Sequence, residues 1–258
     1  MTQKSIGFIG GGRITRIFLE AWTRQGGLPG KVVVTDNNPE TLAKLKAAYP
    51  TIETTTNLPA VVVQDTVFLS VHPPVMAEVL SNVKASLKPE TVVVSLAPKF
   101  TLAKLSSLLD GHVRLARVIP NAPSLIGAGF NPIAYAPTLT TLDKTELATL
   151  LVPLGESPEV AEEKLEAYAV ISAMGPTYLW FQLQNLRELA TGFGLNDAET
   201  ITAIKRMVCG GTRTLLESGL TPAEVMDLIP VKPLAEMEKN VTEMYQTRLP
   251  AIYQKIKP

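Results

Sequence analysis

The stretch Ile6–Thr15, IGFIGGGRIT, constrains this chain more than any other. Four mostly apolar residues run straight into three glycines, and a helical pattern carrying Ile14, Ile17, Phe18, Ala21 and Trp22 follows at once. Strand, tight glycine turn and helix make the opening of a dinucleotide-binding unit. Gly10 permits the sharp turn. Gly12 leaves room for a pyrophosphate against the backbone, and the free N–H groups at the positive end of the new helix face it. Gly11, Arg13 and Ile14 complete the loop. The third small position of the motif is Thr15, which fits but packs less closely than Gly or Ala. Asp36 ends the next apolar run, where a carboxylate accepts hydrogen bonds from a ribose diol. The alternative at these residues is a glycine-rich turn with no ligand.

The first half alternates strand and helix patterns. Lys31–Thr35, Thr66–Val71, Thr91–Leu96 and Val113–Ile119 read as buried strands. Thr51–Thr55 is a short polar strand, and Phe130–Ala136 is one more. Helices are expected from Asn38-Pro39-Glu40 onward, where Asn caps and Pro takes the first helical position. Others are expected over 75–87, 102–109 and 142–152. Near-continuous apolar strands separated by helices predict an α/β fold, a Rossmann-type doubly wound parallel sheet covered on both faces. Ligands of such sheets bind beyond the carboxyl ends of the strands. Those ends carry Val71-His72-Pro73, Ala97-Pro98-Lys99 and Asn121 between two prolines. His72 is a candidate proton donor or carboxylate partner, or else a hydrogen-bonded loop histidine. Asn121 is a candidate for orienting nicotinamide or substrate. Lys99 is either an anion partner or a solvated lysine.

After Gly155 the pattern becomes helical. Glu162–Phe193 reads as one long helix kinked or broken at Gly175-Pro176, with Thr177 just beyond the break. A helix from Asn196 or Asp197 to Glu217, a short one after Thr221 and a last one from about Pro233, interrupted at Pro250, follow. Leu179, Trp180, Phe181, Leu183, Leu186 and Leu189 cover most of one helix. That breadth predicts burial all round, and we expect a homodimer through these helices. Packing against the first domain alone is the alternative. Met174, Trp180 and Cys209 read as core residues. The expected division is a dinucleotide-binding domain over 1–158 and an all-α dimerisation and substrate domain over 159–258.

Composition narrows the class. Lys+Arg and Asp+Glu number 24 each, so no global field attracts nucleic acid or an anionic membrane. The start MTQKS lacks a signal-peptide pattern, no apolar run is long enough to span a bilayer, and Cys209 is the single cysteine. A cytoplasmic protein is expected. His72, His112 and Cys209 show no metal-ligand spacing.

The chain resembles the pyrroline-5-carboxylate reductase family. IGFIGGGRIT is similar to that family's IGFIGAGNMA, DTVFLSVHPP to its D-V-V-F-L-A-V-K-P, and RVIPNAPSLIGAG to R-x-M-P-N-T-P-x-x-x-G-x-G. VVVSLAPKFTLAKL resembles V-I-S-I-A-A-G-V-T-L-x-x-L. SAMGPTY falls where the family has S-G-S-G-P-A-Y, and LLESGLTPAEVMDLI resembles L-L-x-x-S-G-x-H-P-x-x-L-x-D-x-V. The matches run in order through both halves. The resemblance implies NAD(P)H as cofactor and hydride transfer to the C=N bond of an imine carboxylate, in proline biosynthesis. Asp36 leans the choice to NADH, although Arg13 could offset it. The candidate cofactor set, read from the loop and the strand ends, is Gly10, Gly11, Gly12, Arg13, Ile14, Asp36, Val71, His72, Pro73, Ala97, Pro98 and Asn121. The candidate catalytic set, read in the same way, is His72, Asn121 and Thr177. Arg13, His72 and Met174 replace the family's Asn, Lys and small polar residue, and Pro230-Val231-Lys232-Pro233-Leu234 stands where the family has S-P-G-G-T-T. Lys232 is a candidate carboxylate partner. A different imine or carbonyl substrate, or nucleotide binding without turnover, are the other readings.

Overall fold

Runs of β-branched residues with glycine or proline at their ends form short buried strands. The computed structural model describes residues 4–258. In chain order the first half comprises β1 (Ile6–Ile9), α1 (Arg13–Arg24), β2 (Val32–Thr35), α2 (Pro39–Ala48), β3 (Glu53–Thr55), α3 (Leu58–Val62), β4 (Thr66–Leu69), α4 (Pro73–Val83), β5 (Val92–Ser95), α5 (Leu102–Leu108) and β6 (Leu115–Val118). There follow β7 (Gly129–Phe130), β8 (Ile133–Tyr135), α6 (Thr141–Leu151), β9 (Gly155–Glu156) and α7 (Leu165–Tyr168). The last helices are α8 (Pro176–Gly192), α9 (Asp197–Glu217), α10 (Pro222–Asp227) and α11 (Ala235–Ile256).

The sheet order is β3-β2-β1-β4-β5-β6-β8. Every neighbouring pair is parallel except β6 and β8. The expected last strand is therefore present but reversed. The connection from β6 carries a 3-10 turn at Ala122–Ile126 and β7 in place of a crossover helix, and β8 returns antiparallel. The order reverses between β1 and β4, which opens a crevice at their carboxyl ends.

Alternation along the strands builds a core on each face. Phe8 and Phe68 stack with centroids 4.9 Å apart on one face, with Phe18 and Trp22 of α1 against them. Ile9, Val67 and Leu69 point the other way, onto Met76 and Leu80 of α4. Leu42 and Leu45 of α2 are buried, and Asn38 caps α2 as expected by accepting from Glu40 N–H and Thr41 N–H. Gly155, at positive φ, and the capping box of Thr221 with Glu224 mark breaks that the sequence anticipates.

The chain divides into two units. One runs to Met174 and includes Ile252–Pro258; the other is Gly175–Ala251. In the first, the expected long helix over 162–193 is instead a 3-10 turn at Glu162–Lys164, α7, and a π-helical turn at Ala169–Ala173. Gly175-Pro176 does separate this segment from α8, because Pro176 donates no N–H and suits the first turn of a new helix. Pro250, in contrast, does not interrupt α11. A proline forfeits one backbone bond, which a helix of 22 residues tolerates.

The second unit leaves two expected core positions, Trp180 and Cys209, uncovered. Within Gly175–Ala251 only Thr200 is buried. Trp180 is 50% exposed, Cys209 is exposed, and Phe181 and Leu189 lie open with them. Met174, at the end of the first unit, is half-buried. The periodicity correctly marks an apolar face, but the single chain does not cover it. Among the described residues no helix is long and apolar enough to cross a membrane.

Candidate active site

The glycine loop is built from three constraints. Gly10 sits at φ 104°, and its N–H donates to Thr35 O at 2.8 Å, tying the loop to β2. A Cβ here would come within 2.7 Å of the Ser70 carbonyl oxygen, so only glycine lets β1 run this close to the end of β4. Asp36 locks the loop from the other side, since Gly11 N–H donates to its Oδ2 at 2.7 Å and Asn38 N–H to its Oδ1 at 2.8 Å. Thr15 is fully buried, and its hydroxyl donates to Gly10 O at 2.5 Å. The polar threonine at the third motif position thus bonds the turn itself, which Gly or Ala cannot do.

Gly12 is different. It has ordinary φ of −75°, and a Cβ there would meet no atom within 4 Å. Among the described residues nothing requires glycine at this position. It is exposed, caps α1 without a side chain, and leaves the first-turn N–H groups of Arg13, Ile14 and Thr15 without helical acceptors. No acidic residue stands in that turn, and Arg13 is exposed beside it. A small open cradle, outward N–H groups and an adjacent cation fit a phosphate diester.

The other sequence candidates follow the strand ends of the first unit. Asp36 closes β2. Val71, His72 and Pro73 lie beyond β4, with His72 exposed at the N-cap of α4 and its imidazole making no capping bond. Ala97 and Pro98 lie beyond β5, and Asn121 beyond β6. The topology brings these ends to one edge of the sheet. Thr177 stands in the first turn of α8, in the second unit.

Asn121 is buried and its amide is largely committed. Its Oδ1 accepts from Phe130 N–H at 3.2 Å and from the Ser124 hydroxyl at 3.3 Å, and its Nδ2 donates to Ser172 O at 3.3 Å. Asn131 Oδ1 accepts from Asn121 N–H at 3.2 Å. The residue thereby joins the loop after β6 to the π-helical turn at Ala169–Ala173. Ser124 and Asn131 belong to the same network; in the sequence they are isolated polar residues in an otherwise apolar, glycine-bearing stretch, and no local rule pairs them. His112 forms its bond from Nε2 to Thr91 O at 2.9 Å, and burial holds its pKa below the usual histidine value. That bond ties the turn before β6 to the residue preceding β5.

Comparison with known proteins agrees with this geometry. Residues 5–99 match the family model described as NADP oxidoreductase, coenzyme F420-dependent. The pyrroline-5-carboxylate reductase of Escherichia coli K12 is 26% identical over 228 residues, covering 88% of this chain and 85% of that protein. That of Corynebacterium melassecola is 29% identical over 227 residues, covering 86% and 83%. The chain resembles the pyrroline-5-carboxylate reductases. Their likeness extends to the fold, since the crystal structure of the Plasmodium falciparum pyrroline carboxylate reductase with NADP bound superposes with a TM-score of 0.82. That match is 19% identical and covers 100% of this chain and 98% of that one. Similarity to the reductases therefore reaches well past the glycine loop, into the helices after Met174.

Proposed function

We propose that this chain is an NAD(P)H-dependent reductase that transfers hydride to a C=N bond, with pyrroline-5-carboxylate as substrate and proline synthesis in the cytoplasm as its setting. The observation that carries the reading is the ordered similarity to named reductases across both halves, on a glycine loop whose open cradle at Gly12 serves no packing need. In this reading residues 1–158 hold the dinucleotide and residues 159–258 supply the helical dimerisation and substrate part.

Each candidate has a task. The N–H groups at the start of α1 and Arg13 hold the pyrophosphate. Asp36, already accepting from two backbone amides, keeps lone pairs for a ribose diol. Val71, His72, Pro73, Ala97 and Pro98 wall the nicotinamide end. A bound reduced nicotinamide supplies the hydride. The chain's own residues need only orient an imine carboxylate and exclude competing poses. His72 is the polar group of the first unit offered to it, and Asn121 sets the loop from which the substrate is faced. Oxidation of NADH and of NADPH by purified protein, with and without pyrroline-5-carboxylate, tests the reading. Nucleotide binding without substrate-dependent oxidation would overturn this substrate. The connector at Pro230-Val231-Lys232-Pro233-Leu234 supports a second reading, a different imine or carbonyl, because it lacks the hydroxyl-rich stretch of the reductases.

Asp36 sets an expectation on cofactor choice. Its carboxylate opposes a 2′-phosphate, so NADH is the expected partner. Asp36→Asn keeps an oxygen for one amide and removes the charge. The ratio of NADPH to NADH affinity is expected to rise about tenfold, the equivalent of about 1.4 kcal/mol. Parallel nicotinamide-fluorescence titrations check this, and an unchanged ratio removes Asp36 from cofactor discrimination.

The second unit supports a homodimer. A unit with one buried residue and Leu216 75% exposed carries far more open apolar surface than a monomer keeps. Sedimentation equilibrium is expected to give twice the 27.8 kDa chain mass. Phe181→Asp combined with Leu189→Asp is expected to shift the protein to monomer. A monomeric wild type at micromolar concentration would end the proposal.

A further inference from the structure

Arg117 lies in the middle of an apolar strand and is fully buried. Its guanidinium forks. Nη1 donates to Glu162 Oε1 at 2.9 Å, and Nη2 donates to Glu166 Oε1. The two glutamates stand one helical turn apart. The same two oxygens each accept a second bond, from the backbone. Glu166 Oε1 takes Lys99 N–H at 3.2 Å, and Glu162 Oε1 takes Leu102 N–H at 2.7 Å. These amides bracket the turn between β5 and α5. Lys99 itself sits at φ 75°, a left-handed conformation that an L side chain disfavours. Ala97 and Pro98, which the cofactor reading places at the nicotinamide end, immediately precede it.

We propose that Arg117, Glu162 and Glu166 are positioning residues: a buried clamp that holds the Ala97–Lys99 turn in its left-handed form and thereby sets nucleotide affinity without touching the nucleotide. The proposal rests on the dinucleotide reading above. Two buried charges beside a third, partly exposed one are a poor route to stability, because their desolvation offsets most of their attraction. Fixing a geometry is a better-attested use of such groups. Here each carboxylate oxygen serves both the guanidinium and one end of the same turn. Without the Glu166 acceptor, Lys99 relaxes toward negative φ and carries Pro98 with it.

The test is a double-mutant cycle on the full chain, read as NADH and NADPH affinity by nicotinamide fluorescence without substrate, with urea midpoints in parallel. Glu166→Gln keeps an oxygen but loses the charge that Arg117 grips. It is expected to weaken binding about tenfold. Lys99→Gly removes the penalty of positive φ, and the lysine charge with it, so its own effect is measured separately. In that background Glu166→Gln is expected to weaken binding by under about threefold, since glycine keeps the turn without the clamp. Equal weakening in both backgrounds, or none in either, overturns the clamp, because a merely structural anchor moves the urea midpoint alike in both. If Glu166→Gln does not fold, Glu162→Gln, whose carboxylate is partly exposed, is read in the same cycle with about threefold expected in the Lys99 background. Failure of the unmutated protein to bind either nucleotide overturns the dinucleotide reading itself, and the clamp with it.

Discussion

Gly10→Ala is expected to lower nucleotide affinity at least about a hundredfold, the equivalent of about 2.8 kcal/mol. The same substitution is expected to destabilise the fold by about 3 kcal/mol, from backbone strain and overpacking together. Two independent facts give this size. At φ 104° an alanine is strained whatever space surrounds it, and its Cβ would stand 2.7 Å from the Ser70 carbonyl oxygen. That oxygen is backbone at the end of β4, so it yields only if β1 and β4 part where the crevice opens. Gly12→Ala is the contrasting case. Its Cβ meets nothing and its φ is ordinary, so stability is expected to change by only a few tenths of a kcal/mol. Nucleotide binding is still expected to weaken, because the methyl enters the cradle. Urea midpoints and fluorescence titrations on the two variants separate a glycine that the fold requires from one that the ligand requires. Equal stability losses would mean that the loop has no free space for a phosphate.

The loop was legible because its parts are contiguous. A strand, a turn and a helix within ten residues announce themselves through periodicity and glycine alone. So were the caps at Asn38, Asn196 and Thr221, each a local bond between neighbours. What escaped was long-range or depended on context. Arg117 meets Glu162 and Glu166 across 45 and 49 residues. The available signal was a lone arginine inside Leu115-Ala116-Arg117-Val118 and two glutamates at helical spacing, but no local rule pairs them. The reversal of β8 escaped because pattern gives a strand but not its direction. Pro250 was misread because the loss of one hydrogen bond was weighed without the rest of a long helix. The apolar face of α8 was legible as a pattern, but the single chain leaves it open, since periodicity names a face and not what lies on it. The committed amide of Asn121 shows the same limit: a rigid loop asparagine was visible, but its internal partners were not.

Arg117→Ala is expected to cost about 3–5 kcal/mol of stability, the range for removing one partner of a buried charge cluster. Glu166 is itself buried, and it would be left beside the partly exposed Glu162 with the Lys99 N–H as its donor. For a domain of this size that corresponds to a drop of roughly 10 °C in melting temperature. Arg117→Lys is expected to recover only part of the loss. An ammonium is a compact point charge and cannot span two carboxylates as the planar fork does from Nη1 and Nη2. Elsewhere a buried charged trio can be exchanged for apolar residues at little cost. Here that exchange is expected to remain destabilising, because the Lys99 and Leu102 N–H groups would lose their acceptors along with the charges. Urea denaturation of the alanine, lysine and fully apolar variants distinguishes these cases. An apolar trio as stable as the parent would mean that water serves the two amides equally well. The carboxylates would then contribute nothing to the turn beyond their bond to Arg117.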